Sequence, residues 1–122
     1  MESQRQSLGR EGERRAAEHL ERLGWTILER NWRCGDGEID IVAYDPEASA
    51  IVVVEVKTRA GTGYGTPLEA ITYAKARRLR GLAAVYMRRS RRRAPRLRVD
   101  GVGVLLTRGE WTISHAQRID EW

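Results

Sequence analysis

Two apolar segments near the middle of the chain predict a pair of adjacent β-strands. The first, Gly37 to Tyr44, is rich in Ile and Val, and the second, Ala50 to Arg59, is an almost unbroken apolar run. Such a run is typical of a strand that is covered on both faces of a sheet. The turn residues Asp45, Pro46 and Glu47 between the segments predict that the second strand folds back antiparallel to the first.

Two further segments have the apolar spacing of helices. The first helix is predicted from Gly9 to Leu23, after a polar and flexible N-terminus of residues 1–8. The second is predicted from Thr66 to Arg88. It is predicted to begin there because Thr66, Pro67 and Glu69 suit an N-cap, a first helical position and a capping box.

Three shorter apolar segments predict the remaining strands, at residues 25–31, 97–106 and 111–115. Residues 32–37, which include two glycines, predict a turn. The resulting order is helix, three strands, helix, two strands. This order predicts an α/β fold with helices packed against a central mixed sheet, in one domain over residues 1–122.

Charged residues interrupt the two central strands. Because side chains alternate along a strand, Glu55 and Lys57 point to one face of their strand, and Glu38 and Asp40 share a face of theirs. If the strands pair, two or three carboxylates and one ammonium group converge. A cross-strand ion pair between Lys57 and Glu38 or Asp40 is the structural alternative. Three acids and one base inside otherwise apolar strands favour a functional site.

The residue types in this cluster suit metal-assisted hydrolysis of a phosphodiester. Asp40 and Glu55 offer carboxylate oxygens, the ligands that a hard divalent cation such as Mg²⁺ or Mn²⁺ prefers. Lys57 can orient or help to deprotonate the attacking water, or stabilise the charge that develops on the phosphate. Without a cation the two carboxylates repel each other, and we expect one of them to have a raised pKa.

The charge of the chain favours a polyanionic partner. The formal net charge is +5, and an arginine-rich run extends from Arg88 to Arg98. Nucleic acid is the first candidate partner and an acidic membrane the second. A solvated helix end and linker is the alternative interpretation of such a run. Arginine pairs well with phosphate, and lysine also binds it through its charge. The candidate phosphate contacts are the basic residues Arg59, Lys75, Arg89, Arg91, Arg92 and Arg93.

Several other classes of site are not favoured by the sequence. Cys34 is the only cysteine, which fits a reducing cytosol and excludes a zinc or iron–sulfur site built from the cysteines of one chain. No apolar run approaches membrane-spanning length, so a cytoplasmic protein is predicted.

The glycine-rich segment 60–65 lacks the lysine of a phosphate-binding P-loop. His19 and His115 are too isolated in sequence to form a histidine metal site, and each is expected to be hydrogen-bonded or to face solvent. Trp32, in the predicted turn, is a candidate for base stacking.

Two segments of the chain, Gly37 to Ala43 and Val53 to Arg59, closely resemble the YraN-like family of small bacterial proteins. That family is placed in the PD-(D/E)XK nuclease superfamily, near the Holliday junction resolvases. Gly101 stands where relatives tend to have an apolar residue, which predicts a bend or bulge in that strand. The likeness spans about Gly9 to Val104 and includes Gly12-Glu13, Gly24-Trp25, Arg30 to Arg33, Gly65 to Pro67, Glu69-Ala70 and Lys75.

The resemblance implies a restriction-endonuclease-like αβββαβ core and assigns roles to four residues. Asp40 is the motif aspartate, Glu55 and Lys57 form the E-x-K pair, and Glu13 is the acid of the first helix that completes the catalytic and metal site. On position alone, Glu13 would be an exposed glutamate in the first turn of a helix, favoured by the macrodipole. Glu38 is expected to support Asp40 rather than to bind a metal.

These observations predict a Mg²⁺- or Mn²⁺-dependent endodeoxyribonuclease, acting on structured or branched DNA if the related resolvases are a guide. The alternative is a nucleic-acid-binding or scaffold protein that retains the nuclease fold without turnover. A third hypothesis is an interaction domain whose basic surface meets an acidic protein. Symmetric cutting of two strands would favour a two-fold homodimer.

Overall fold

The computed structural model describes every residue except Thr62, Tyr64 and Trp122, so part of the glycine-rich segment lies outside the described residues. The order of helices and strands is the predicted one, with a 3₁₀ turn before the second helix and another at the end. The elements are α1 Gln4–Arg22, β1 Thr26–Cys34, β2 Gly37–Asp45, β3 Ala50–Ala60, a 3₁₀ turn Leu68–Ala70, α2 Tyr73–Ser90, β4 Arg96–Thr107, β5 Glu110–Ala116 and a 3₁₀ turn Ile119–Glu121.

The five strands form one mixed sheet in the order β1-β2-β3-β4-β5. Neighbouring strands are antiparallel except β3 and β4, which run parallel from the pair Ala50 and Arg96 to the pair Ala60 and Leu106. Parallel neighbours need a long crossover, and α2 lies in that connection. The predicted α/β fold with a mixed sheet and helices packed against it is therefore confirmed.

The helices cover opposite faces of the sheet, which explains the apolar run of β3. Val52 and Val54 pack in the core under α1, whereas Ile51 and Val53 pack in the core under α2. All four are essentially inaccessible to solvent. Because both faces of β3 are covered, apolar residues are required at successive positions rather than at alternate ones.

The first helix begins five residues earlier than predicted. Ser3 is its N-cap, and Ser3 and Gln6 form a reciprocal capping box in which each side chain accepts a hydrogen bond from the backbone N–H of the other, at 3.2 and 2.9 Å. These two bonds satisfy backbone donors that a helix start would otherwise leave exposed. The prediction of a flexible N-terminus is therefore wrong for Gln4–Leu8, which are helical.

The second helix begins later than predicted. Thr66 and Glu69 form only half of the expected capping box. The Glu69 backbone N–H donates to Thr66 Oγ1 at 3.4 Å, but the Glu69 carboxylate accepts from the Thr66 hydroxyl, at 3.0 Å, and not from the Thr66 backbone, and only the short 3₁₀ turn follows. Ile71 is extended, and α2 starts at Tyr73 after a second cap, in which Thr72 accepts a hydrogen bond from the Lys75 backbone N–H at 3.1 Å. The sequence thus contains two successive helix starts, of which the first is not propagated.

This interruption in the helix explains Gly101. The prediction of a bend or bulge is wrong, since Gly101 pairs in register with Glu55 on one side and Ala116 on the other. A Cβ atom at Gly101 would lie 2.9 Å from Ile71 Cδ1 and 3.3 Å from Leu68 Cδ2. Glycine therefore allows the segment before α2 to pack directly on β4.

The first strand is longer than predicted and irregular. It continues to Cys34, so that only the tip of the predicted turn 32–37 is a turn. A register shift lies between Ile27 and Glu29, and Asn31 has a positive φ of 53°. Trp32, the candidate for base stacking, is half-buried and packs edge-on against Tyr86, with ring centroids 5.3 Å apart.

In the described part of the chain, no helix is long and apolar enough to cross a membrane.

Candidate active site

The candidate site forms where the central strands β2 and β3 separate. Their regular pairing ends at Ile41 and Val54. Beyond that point the Val56 backbone N–H donates a hydrogen bond to Asp40 Oδ2 at 2.8 Å. Ile39 packs under α2 but Ile41 packs under α1, although residues two apart in a regular strand share a face. The chain therefore twists at Asp40 and holds its carboxylate between the two strands.

Glu55 is buried beside Asp40, on the face of β3 that α2 covers. Only 5% of the residue is exposed. Burial, followed by the charge of Asp40 and a hydrogen bond with it, raises the pKa of Glu55 from its usual 4.5 to about 7. Lys75 and Lys57 oppose this shift without cancelling it. The structure thus contains the repelling pair of carboxylates that the sequence predicts.

The lysine nearest to this pair is not the expected one. Lys75 Nζ, from the first turn of α2, lies 3.9 Å from Glu55 Oε2. Among the described residues Lys57 forms no ion pair within 4.0 Å, so the cross-strand pair with Glu38 or Asp40 is not present. Glu38 instead faces Arg33 at 3.5 Å. Lys75, predicted only as a phosphate contact, is therefore part of the carboxylate cluster.

Helix α1 brings Glu13 to the same place from the other face of the sheet. Because α1 begins at Gln4, Glu13 lies in the middle of the helix and not in its first turn. Glu13 Oε1 accepts hydrogen bonds from Asn31 at 2.9 Å and from Arg30 at 3.4 Å. Burial and the charge of Asp40 raise the pKa of Glu13, while Arg30 and Asn31 act in the opposite direction. The structure thus places the acid named by the resemblance beside Asp40.

Two cavities open on either side of Asp40. The α1-side cavity, about 530 Å³, is lined by Glu13 and Asp40 together with Arg5 and Arg59. The α2-side cavity, about 270 Å³, is lined by Asp40 and Glu55 and by three cationic side chains, Lys57, Lys75 and Arg78. Acidic groups at the centre are thus flanked by basic groups on both faces of the sheet.

The arginine-rich run is not part of this cluster. At about 1.5 Å per residue along α2, Arg89 lies about 20 Å from Lys75. Arg92 Nε donates to the Tyr86 hydroxyl at 2.9 Å, and Arg93 donates to the carbonyls of Met87 and Arg92. Of the predicted phosphate contacts, the structure places Arg59 and Lys75 at the cavities. It places Arg89, Arg91, Arg92 and Arg93 at the far end of the helix.

Sequence reasoning missed two basic residues at the cavities. Arg5 falls within the segment predicted to be flexible, and the Ser3 to Gln6 capping box was the signal that could have found it. Arg78 lies three residues after Lys75, and therefore on the same face of a helix. The positions of Arg5 and Arg78 follow from helical spacing once the starts of α1 and α2 are assigned correctly.

The two histidines are not isolated. His19 Nε2 of α1 lies 3.1 Å from His115 Nδ1 of β5, and His115 Nε2 lies 2.8 Å from Asp100 Oδ2. Asp100 is completely buried and also accepts two hydrogen bonds from Arg98. The pKa of His19 is lowered by burial and by His115. Both histidines are therefore hydrogen-bonded, one of the two environments expected for them, although the sheet brings together residues that are far apart in sequence.

The donor atoms at the carboxylate cluster suit a hard cation, although they are not gathered into a complete ligand set. Burial and the charge of Asp40 raise the pKa values of Glu55 and Glu13, and the neighbouring cations Lys75 and Arg30 only partly offset the rise. In the part of the chain that the structure describes, no three His, Cys, Asp or Glu side chains are arranged to hold a metal ion. Two of the three acids already accept hydrogen bonds, Glu13 from the Asn31 side chain and Asp40 from the Val56 backbone N–H.

The fold and the cluster together define an α/β protein with a pair of carboxylates at a strand junction, one of them buried, and basic cavities on both faces. Residues 12–104 match the model of the family described as uncharacterised protein family UPF0102. The matched range contains all four residues that the resemblance singled out. The chain therefore belongs to the UPF0102 family, the family of YraN-like proteins.

Curated relatives of the same family are similar over most of their length. The UPF0102 protein of Clavibacter michiganensis subsp. michiganensis is 56% identical over 104 residues, covering 85% of this chain and 86% of the relative. The UPF0102 protein of Mycobacterium avium is 47% identical over 113 residues, covering 92% and 88%. That of Renibacterium salmoninarum is 50% identical over 103 residues, covering 84% and 86%.

Proposed function

We propose that this protein is a Mg²⁺- or Mn²⁺-dependent endonuclease-like hydrolase of DNA phosphodiesters. The observation that carries the proposal is the cavity at the strand junction that Asp40 and Glu55 line together with three cationic side chains. Burial and the charge of Asp40 raise the pKa of Glu55 there to about 7. Two carboxylates that line one cavity, one of them buried, repel each other unless a proton or a cation lies between them. A cation-binding role explains why both carboxylates are present at this position.

Asp40 and Glu55 are the residues that would hold the cation, with Glu13 contributing after release from Asn31. When bound, the cation would supply positive charge opposite the phosphate and lower the pKa of a bound water. The Val56 N–H fixes one oxygen of Asp40, which leaves the other oxygen to face the site. This restraint orients Asp40 without using its second oxygen.

The two lysines have separate tasks in this proposal. Lys75, 3.9 Å from Glu55, partly balances the charge of the carboxylate pair. Lys57 lines the same cavity and forms no ion pair among the described residues, so its ammonium group remains available to a phosphate oxygen or to the attacking water. Lys57 is the catalytic candidate and Lys75 the positioning one.

Substrate phosphates would follow the basic side chains of the two cavities. Arg5 and Arg59 lie on the α1 side, and Lys75 and Arg78 lie on the α2 side. The net charge of +5 supports attraction of a polyanion, an effect that weakens as salt rises. Preference for branched DNA, and a homodimer that cuts two strands, are proposed from the resemblance alone.

A second candidate function has its own support. Within the described residues the acids do not form a set of three ligands, and Glu13 is engaged by Arg30 and Asn31. A protein that binds nucleic acid through the basic cavities without cleaving it is compatible with that arrangement. Tight, salt-sensitive DNA binding without cleavage under either metal would select this alternative.

The deciding experiment compares the wild type with Asp40→Asn and Lys57→Ala on linear, nicked and four-way-junction DNA with Mg²⁺ or Mn²⁺. We expect cleavage by the wild type and a loss of at least about a hundredfold in both variants. Arg89→Ala is the matched control, since Arg89 is exposed and distant from the site. Equal cleavage by all four proteins would mean contamination and would overturn the assignment.

A further inference from the structure

A third polar cavity lies at the opposite end of the parallel strand pair from the carboxylates. We call it the distal cavity. It has a volume of about 440 Å³ and extends from the start of β3 and β4, where Ala50 pairs with Arg96, to the C-terminal 3₁₀ turn. That volume is in the range of small-molecule sites. None of the residues assigned to the proposed nuclease site lines it.

One wall of the distal cavity holds a carboxylate oxygen without a partner. The Asp120 side chain is only 7% exposed, and its Oδ2 accepts a hydrogen bond from Arg80 at 3.3 Å. Its other oxygen, Oδ1, is buried and has no hydrogen-bond partner among the described residues. Buried acceptors of this kind are normally paired, because an unpaired one carries its full desolvation cost. A ligand donor would remove that cost once the carboxylate turns, since Oδ1 is closed to solvent in this conformation.

The facing wall offers unengaged positive charge. The Arg96 side chain makes no hydrogen bond or ion pair with the described residues, and Arg118 reaches only Glu121, at 3.9 Å and with both side chains exposed. Behind them the Arg98 guanidinium is fixed by Asp45 at 3.0 Å and by Asp100 at 2.9 Å. Two guanidinium groups are therefore available to an anion.

These two walls require different groups on one ligand. An inorganic anion alone would bring a negative charge towards Asp120, and a cation alone would face Arg96 and Arg118. A ligand that carries both an anionic group and an N–H donor satisfies both. Apolar surface from Ala48, Pro95 and Leu97 adds contact for an uncharged ring or chain between them.

We propose that the distal cavity binds a phosphorylated small molecule that also carries an N–H donor, the chemistry of a nucleotide. Its phosphate pairs with Arg96 and Arg118, as planar guanidinium groups favour. Its base N–H donates to the Asp120 carboxylate, which turns to present Oδ1 to the cavity that Asp120 lines. The same unit occurs in a free mononucleotide and at the 5′-phosphorylated end of a nucleic acid strand. The two sources share this chemistry and are distinguished by experiment.

The test is calorimetric titration of the full chain at low salt with GMP, AMP, ribose 5-phosphate, guanosine and inorganic phosphate. We expect GMP or AMP to bind at least about tenfold more tightly than the three probes that lack one of the two groups. Asp120→Asn should remove that advantage, while binding of ribose 5-phosphate should change little. Arg96→Gln should weaken every phosphorylated probe by about tenfold.

The controls separate this site from folding and from the nuclease site. Arg96 is exposed and its side chain has no partner among the described residues, so Arg96→Gln breaks no ion pair or hydrogen bond of the fold. Arg89→Gln is the matched exposed control and should leave binding unchanged, as should Asp40→Asn. A 5′-phosphorylated oligonucleotide that competes with GMP, when its dephosphorylated form does not, would assign the site to strand ends. Failure of that competition would assign it to free nucleotides.

Three results would overturn the proposal. One is the absence of any binding at millimolar nucleotide, and another is equal affinity for GMP and inorganic phosphate. The third is nucleotide binding that Asp120→Asn and Arg96→Gln leave intact while Asp40→Asn removes it. That last result would place the nucleotide in the carboxylate site.

Discussion

Gly12 lies directly against Thr58, at the point where α1 crosses β3. A Cβ atom on Gly12 would overlap Thr58 Oγ1 and lie 2.8 Å from Thr58 Cβ. No side chain fits there without movement of the helix. Since Glu13 is the next residue, this close approach sets the distance between Glu13 and Asp40.

Replacement of Gly12 by alanine is therefore expected to destabilise the fold and displace Glu13. We expect Gly12→Ala to lower the free energy of unfolding by about 1–3 kcal/mol, the usual cost of overpacking a tight contact. Gly9→Ala is the matched control, since nothing lies within 4 Å of its added Cβ. Helix propensity should make that control neutral or more stable, by up to about 1 kcal/mol. Urea denaturation measures both variants.

A double mutant identifies the contact responsible. Thr58→Ala removes Oγ1 and Cγ2, the two atoms nearest to the added Cβ, so Gly12→Ala should cost less in the Thr58→Ala background. Equal costs in both backgrounds would show that the contact with Thr58 does not limit the position of α1.

The raised pKa of Glu55 predicts a specific pH dependence of stability. A carboxyl group whose pKa is higher in the folded state, here about 7 against its usual 4.5, holds its proton more tightly when folded. Its contribution to stability therefore falls as the pH rises through that window. We expect the wild type to lose about 1–3 kcal/mol between about pH 5 and pH 8 relative to Glu55→Gln, at about 1.4 kcal/mol per pKa unit. Parallel pH profiles of the two proteins would contradict this.

Addition of Mg²⁺ or Mn²⁺ should reverse part of that loss. A ligand that binds the folded state raises its stability, and a cation competes with the proton for the carboxylate pair. We expect millimolar Mn²⁺ to raise the melting temperature more at pH 8 than at pH 5, and to have no such effect on Asp40→Asn. Calorimetry in Ca²⁺ and in chelator provides the comparison. A shift of equal size in Asp40→Asn would place the cation elsewhere.

Much of the fold was predictable from sequence, because the order of elements and the covering of β3 on both faces follow from local apolar patterns. The surroundings of residues that are brought together only by the tertiary fold were not predictable from sequence. The hydrogen-bonded group of His19, His115 and buried Asp100 joins α1, β5 and β4, and no local spacing indicates it. The interruption after Thr66 is not predictable from local sequence, because the residues of a helix start are present there and the packing of Ile71 on Gly101 is a tertiary contact.

The candidate site divides in the same way. Asp40, Glu55 and Lys57 were found from charge inside apolar strands, whereas Glu13 needed the resemblance, since its approach to Asp40 depends on the Gly12 contact. Lys75 was found for the wrong reason. The sequence predicts it as a phosphate contact, and the structure places its ammonium group 3.9 Å from Glu55 Oε2.

Lys75 and Lys57 should affect Glu55 unequally. Both lower the pKa of Glu55, and the effect of Lys75 is the larger. Lys75→Met should therefore raise the titration midpoint of Glu55 further above 7 than Lys57→Met does. Carbon NMR of glutamate side-chain carboxyls, with Glu55→Gln to assign the signal, measures both shifts. A larger shift in Lys57→Met would show that, in solution, Lys57 lies closer to Glu55 than Lys75 does.

DNA affinity should depend on the basic residues of the two cavities more than on the arginine-rich run. Arg5, Arg59 and Arg78 line the cavities beside Asp40, whereas Arg92 and Arg93 bond to the end of α2. We expect a triple variant, Arg5→Gln, Arg59→Gln and Arg78→Gln, to weaken DNA binding and to reduce the salt slope by about one for each replaced arginine that pairs with a phosphate. The matched control replaces Arg89, Arg91 and Arg93 with Gln, which makes the same change in net charge. Fluorescence anisotropy over a range of salt concentrations measures both slopes, and a greater weakening in the control would move the DNA path to the end of α2.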